Sequence, residues 1–188
     1  SQSPRRRQLL ENAGFRLSIR PSHVPEVRGV GESPGDYVRR LACEKARAVR
    51  QQPGEVILGA DTEVVVGDQV LGKPEDAADA ARMMRLLSGR DHDVITGICI
   101  LYPGGEVADL AHTTVRFSPL TENEIAGYVA SGEPMDKAGG YAIQGLASKF
   151  VERIEGCHFN IVGLPVSLVY RHFRKLGLLD EGKTLFIQ

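Results

Sequence analysis

The sequence predicts an α/β domain around a mixed sheet, on three observations. Segments with helical apolar spacing alternate with short runs rich in Val, Ile and Thr over most of the 188 residues. Turn signals at Gly67-Asp68 and Pro103-Gly104-Gly105 add antiparallel hairpins to that alternation. A hydrophobic share of 42% is enough to build one sizeable domain, taken here as 1–188.

The first element is a short helix. Ser3 suits its N-cap, Pro4 its first position and Gly14 the site just past its end. Arg5, Arg6 and Arg7 crowd its first turn, where the macrodipole favours anions. Two readings stay open: the guanidiniums are solvated, or they wait with free amides and serine hydroxyls for a phosphate. Residues 15–31 are broken by Pro21, Pro25, Gly29 and Gly31, and give one extended segment and a loop ending near Glu32. Ser33-Pro34 opens a second helix expected to run to about Gln51, with Val38, Leu41, Ala42 and Val49 on its apolar stripe. Lys45 falls inside that stripe, either snorkelling to water or pointing into a polar pocket.

The central stretch begins as a buried strand, Val56-Ile57-Leu58, which Asp61 interrupts with a charge that a core does not accept unpaired. A hairpin at Gly67-Asp68 pairs Val66 with Gln69, Val65 with Val70 and Val64 with Leu71. Continued, it brings Thr62 opposite Lys73 and Asp61 opposite Pro74. Strict alternation places Asp61 and Thr62 on opposite faces, so the strand is expected to bend or end there if both line one site.

A third helix follows Pro74-Glu75-Asp76 and ends at Gly89. Residues 92–102 and 107–117 read as two hairpin strands. Thr121-Glu122-Asn123-Glu124 is a capping box opening a fourth helix. The glycine-rich segment 133–145 is either a surface turn or backbone held close to a ligand. Residues 150–154 and 159–162 read as short strands. Pro165 starts a last amphipathic helix that stops at Gly177, and no element is read after Leu179. In such folds ligands lie near strand ends and helix N-termini, so the arginine turn, the Asp61 ribbon and the glycine segment are expected to share a cleft.

Composition excludes several classes. A net charge of −1 argues against a protein built to coat nucleic acid. No apolar run approaches the ~18 residues of a membrane helix, and no signal peptide is visible. Cys43, Cys99 and Cys157 are odd in number and widely spaced, and read as reduced thiols of a cytoplasmic protein. The histidines are scattered, so no zinc site is expected. The chain starts at Ser1 without a methionine, so a few residues are expected to precede it. No Walker-type glycine loop or GxGxxG is present.

Several segments, in order, resemble the Maf family of nucleoside triphosphate pyrophosphatases. They are Ser1-Gln2-Ser3-Pro4-Arg5-Arg6, Glu44-Lys45-Ala46, Gly59-Ala60-Asp61-Thr62, Gly72-Lys73-Pro74, Ser131-Gly132-Glu133-Pro134, Asp136-Lys137-Ala138-Gly139-Gly140-Tyr141 and Ile143-Gln144-Gly145. The resemblance implies a mixed twisted sheet with flanking helices, in two lobes around a central cleft. It also implies a homodimer and a Mg²⁺- or Mn²⁺-dependent hydrolase that cleaves between the α and β phosphates of a nucleoside triphosphate.

Carried over by position, Asp61 resembles the family's proton acceptor or metal ligand. Ser1, Arg6, Lys45 and Lys73 match phosphate-holding positions, and Glu32 matches an acidic residue at the metal. Arg5, Thr62 and Gln144 match the positions that choose the base, and they resemble the branch acting on dTTP and UTP. Ala147-Ser148 and Cys157-His158-Phe159 depart from the family's pattern. Two alternatives stay open: a nucleotide-sensing regulator of septum formation that binds with little turnover, and an enzyme of the same chemistry directed at a modified pyrimidine nucleotide.

Overall fold

A computed structural model describes residues 3–179 and 184–187. Six α-helices are described: α1 (Pro4–Asn12), α2 (Pro34–Ala48), α3 (Ala77–Leu87), α4 (Glu122–Ala130), α5 (His158–Val162) and α6 (Val166–Lys175). The strands are β1 (Leu17–Ile19), β2 (Val56–Val66), β3 (Gln69–Leu71), β4 (Asp91–Tyr102), β5 (Gly105–Phe117), β6 (Val151–Glu155) and β7 (Leu185–Ile187). They form one mixed sheet in the order β1-β7-β2-β4-β5-β6, with β3 paired to β2. The chain divides into two compact units. The first comprises Ser1–Thr62, Thr96–Ala111 and Gly163–Gln188; the second comprises Glu63–Ile95 and His112–Val162.

In the first unit, two glycines set the depth at which α2 packs. A Cβ on Gly59 of β2 would stand 2.0 Å from the Ala42 carbonyl oxygen, and one on Gly97 of β4 would stand 2.3 Å from that of Val38. Helix backbone thus rests directly on strand backbone, and Ala42, Ala46 and Val49 pack with Ile57 and Leu101. The helix ends at Ala48, short of the expected Gln51. The amides of Gln51 and Gln52 donate instead to the Glu55 carboxylate, at 2.9 and 3.1 Å, and that competing acceptor draws them away from helical carbonyls. The tail holds an element the sequence reading missed. Strand β7 lies between β1 and β2, parallel to both, with Leu185 opposite Leu17 and Val56. Three residues are too few to show a period.

In the second unit the hairpin register is the expected one: Val64, Val65 and Val66 face Leu71, Val70 and Gln69. The ladder stops there, because β3 ends at Leu71, so the extension to Lys73 and Pro74 does not form. Both bonds of the Thr121/Glu124 capping box are present. Residues 158–162 form a short helix where the sequence suggested a strand. The buried Asn160 amide donates to the Val94 carbonyl at 2.9 Å and to Thr113 Oγ1 at 3.0 Å, which pegs this turn to β4 and β5.

His92 is buried against Phe117 and Tyr141, with Nε2 2.8 Å from the Tyr141 hydroxyl. Burial drops its pKa from 6.5 to about 4, against the pull of Asp93 and Asp91.

Two predictions follow from this packing. Gly59→Ala should destabilise the protein by about 1–3 kcal/mol or more, because helix backbone cannot step aside as a side-chain tip can; a denaturant midpoint unchanged from wild type would contradict the close approach. The stabilising contribution of neutral His92 is complete above pH 6.5 and is lost as pH falls through about 4. That loss is on the order of 3 kcal/mol. Unfolding curves of His92→Gln should therefore be flatter than wild type over that interval.

Candidate functional site

The site is built in the first unit, from α1, α2 and the middle of β2. On α2, Lys45 sits one turn after Leu41, on the face that Gly59 and Gly97 draw against the strands. Its ammonium, 7% exposed as a residue, donates to Asp61 Oδ1 at 2.7 Å. The same nitrogen lies 2.5 Å from Glu26 Oε1. Asp61 is equally buried, and that burial raises its carboxyl above the ordinary value, against the pull of Lys45 and Arg6. Among the described residues, Asp61 Oδ2 accepts no hydrogen bond. The site thus pairs a carboxylate oxygen bound by an ammonium with one open to a proton or a cation.

Arg6 holds the neighbouring positions. Ser3 caps α1 by accepting the Arg6 amide at 3.5 Å, with no acidic residue in the first turn to meet the amide ends. The Arg6 guanidinium donates from Nε to the Gly163 carbonyl at 2.8 Å, from Nη1 to the Ala60 carbonyl at 2.7 Å, and from Nη2 to Thr62 Oγ1 at 3.0 Å. Thr62 Oγ1 is also 3.0 Å from Thr96 Oγ1 on β4. Burial lowers the pKa of Arg6, and Asp61 opposes that shift.

Strand β2 continues unbroken past Asp61 and Thr62 as far as Val66, so the strand does not end at the site. Asp61 turns to α2 while Thr62 meets Arg6 and β4, as alternation requires.

The structure therefore brings two pairs to adjacent positions of β2, Lys45 with Asp61 and Arg6 with Thr62, with Arg6 and Asp61 attracting one another. Arg5 is half-buried in the same α1 turn. Glu32 is engaged apart from these residues: Arg40 grips both its oxygens, at 2.7 and 2.8 Å, and the Gly29 amide donates to one of them at 2.9 Å. Those bonds hold its pKa down at about 2. Ser1 lies outside the described residues. Lys73 and Gln144 belong to the second unit, both exposed. There the Gly139 amide donates to the Gly72 carbonyl at 3.0 Å, fixing the Lys73 end of the hairpin to the glycine segment.

Sequence reasoning missed Glu26, Thr96 and the Gly163 carbonyl. Glu26 stood in a stretch broken by prolines and glycines, where no periodicity shows direction. A buried lysine beside one carboxylate was the only signal that a second could be sought. The motif glutamate Glu133 proves to be an anchor for the glycine segment. Its carboxylate accepts from the Tyr128 hydroxyl at 2.9 Å and from the Leu146 amide at 2.9 Å, and its carbonyl accepts from Lys137 at 2.7 Å.

The chain was compared with known proteins. A model of the Maf-like protein family matches residues 1–176. A dTTP/UTP pyrophosphatase of Koribacter versatilis (strain Ellin345) is 50% identical over 180 residues, 95% of this chain and 93% of its own. The protein of that name from Geobacillus sp. (strain WCH70) is 51% identical over 178 residues, 94% of this chain and 96% of its own. That of Anaeromyxobacter dehalogenans (strain 2CP-C) is 50% identical over 181 residues, 94% and 92% of the two chains.

The Arg6 clamp generates a prediction. Lysine cannot reproduce three donors in a fixed fork, so Arg6→Lys should cost about 1–3 kcal/mol of stability through carbonyls left without partners. Thermal unfolding measures this, and an unshifted midpoint would contradict the clamp.

Proposed function

We propose a function from one established premise: the chain belongs to the Maf-like protein family. The reading is a nucleoside triphosphate pyrophosphatase that takes dTTP and UTP to the monophosphate and pyrophosphate, the activity named for relatives at about 50% identity. A house-cleaning role linked to cell-division arrest and a homodimer come with the family resemblance, and a cytoplasmic location comes from the unpaired spacing of the cysteines. Among the described residues no helix is long and apolar enough to cross a membrane.

The observation that carries the reading is Asp61, a buried carboxylate with one oxygen on Lys45, one open oxygen and a raised proton affinity. A group of that kind accepts a proton from an attacking water. Cleaving a phosphoanhydride gathers negative charge on the leaving oxygens, so most of the catalysis is positioning and charge stabilisation. Lys45 and Arg6 are the described cations beside Asp61. Ser1 and Lys73 are proposed to hold phosphates with them, while Arg5, Thr62 and Gln144 choose the base. Gln144 offers both a donor and an acceptor, which suits the imide edge of thymine or uracil. Because Thr62 is bonded to Arg6, any contact it makes to the base is registered against the guanidinium.

The donor chemistry fits a hard divalent cation. The Asp61 and Glu26 carboxylates flank one ammonium, and oxygen donors of this kind suit Mg²⁺ or Mn²⁺. Asp61 would hold the ion, with Glu32 joining only by sharing oxygens that Arg40 and Gly29 already engage. Bound there, the cation would neutralise phosphate charge.

The test is a nucleotide panel with Mg²⁺ or Mn²⁺, read by pyrophosphate release. Release from dTTP and UTP ahead of purine triphosphates is expected; tight binding with no pyrophosphate would favour a sensor and overturn the reading. Asp61→Asn should keep the wild-type unfolding midpoint within a few degrees and lose turnover by roughly 10²–10⁴-fold. Full turnover in a folded Asp61→Asn protein would remove Asp61 from the chemistry.

A further inference from the structure

Two thiols and a carboxylate that the proposed reaction does not use converge within the first unit. Cys43 of α2, Cys99 of β4 and Glu106 of β5 each offer one ligand atom, and these atoms all lie within 4.8 Å of one another. The thiols are 7% and 0% exposed and sit among Ala42, Ala46, Val49, Ile57 and Leu101, whereas Glu106 reaches the surface. Arg47, on α2, donates to both Glu106 oxygens, from Nε at 2.8 Å and from Nη2 at 2.6 Å.

We propose that Cys43, Cys99 and Glu106 form a binding site for a thiophilic divalent cation of the zinc class, distinct from the Asp61 site. Donor softness selects the ion: paired thiolates favour Zn²⁺ over Mg²⁺, which keeps to oxygen. The spacing suits it too. Bonds of roughly 2.3 Å to sulfur and 2.0–2.2 Å to oxygen place tetrahedral donors about 3.6–3.8 Å apart, reachable from the present separation by small side-chain rotations. Charge balances as well: two thiolates and a carboxylate exceed a divalent cation by one negative charge, which Arg47 offsets while orienting Glu106.

Loading is a ligand exchange without redox change. The cation takes both sulfurs as thiolates and both thiol protons leave to solvent. The exposed Glu106 provides the path in, and the fourth position is left for water. The bound ion would tie α2 to β4 and β5 two residues before Lys45. The assignment does not rest on the pyrophosphatase reading.

The test uses the reduced, metal-free full chain titrated with Co²⁺ and then Zn²⁺. A thiolate-to-cobalt charge-transfer band in the near ultraviolet should saturate at equimolar metal, with release of both thiol protons, and Zn²⁺ should displace it. Cys43→Ser and Cys99→Ser should abolish the band, Arg47→Met should weaken binding roughly 10–100-fold, and Cys157→Ser and Asp61→Asn should leave it intact. If the core serine variants fail to fold, Zn²⁺ should still slow alkylation of Cys43 in the wild type. No charge-transfer band, a band that survives Cys43→Ser, or equal labelling with and without Zn²⁺ would overturn the proposal.

Discussion

One ammonium under a helix, held between the buried carboxylate of Asp61 and the exposed one of Glu26, is the interaction on which the rest of the first unit depends. Lys45 meets Asp61 and Glu26 in a setting where an unmatched charge costs several kcal/mol. The meeting requires α2 to lie flat on β2 and β4, which requires Gly59 and Gly97. Asp61 can occupy the middle of an apolar strand because that helix delivers a partner to it. Removing Lys45 leaves two carboxylates facing one another, whereas removing either carboxylate leaves the ammonium with the other, so the lysine is the member that the arrangement cannot lose.

Much of this was legible from residue pattern alone. The Ser3-Pro4 cap, the Gly67-Asp68 register and the Thr121 capping box are local rules, each satisfied within a few residues, and each appears as read. Asp61 and Lys45 announced themselves as charges inside apolar patterns. What stayed hidden depends on distant partners. The run 159–162 has the composition of a strand, but the buried Asn160 amide finds acceptors on β4 and β5 only if that run coils. Glu32 could be recognised as an acidic motif residue, but its tie to Arg40 is a property of the folded loop. Cysteine spacing gave no hint that Cys43 and Cys99 become neighbours, since a helix and a strand bring them together across much of the chain.

The motif residues also divide by role. Arg6, which by resemblance holds phosphate, spends three donors on Gly163, Ala60 and Thr62, so its first effect is to fix backbone and hydroxyl positions. Glu133 and Lys137 secure the glycine segment from within. A Cβ at Gly145 would stand 2.2 Å from the Glu133 carboxylate, so the motif glycine and glutamate specify one another. Charge in the motif segments of this chain therefore supports geometry as often as it offers chemistry.

The position of β7 constrains the order of assembly. In the sheet order β1 has β7 as its neighbour, and β7 is the strand that joins it to β2. During vectorial synthesis, residues 17–19 cannot take their place beside the centre of the sheet until residues 185–187 have emerged. Local elements can form early, while this parallel edge closes last and over nearly the full length of the chain, where loop-closure entropy is greatest. A nascent chain therefore carries an unpartnered β2 edge until residues 185–187 have emerged.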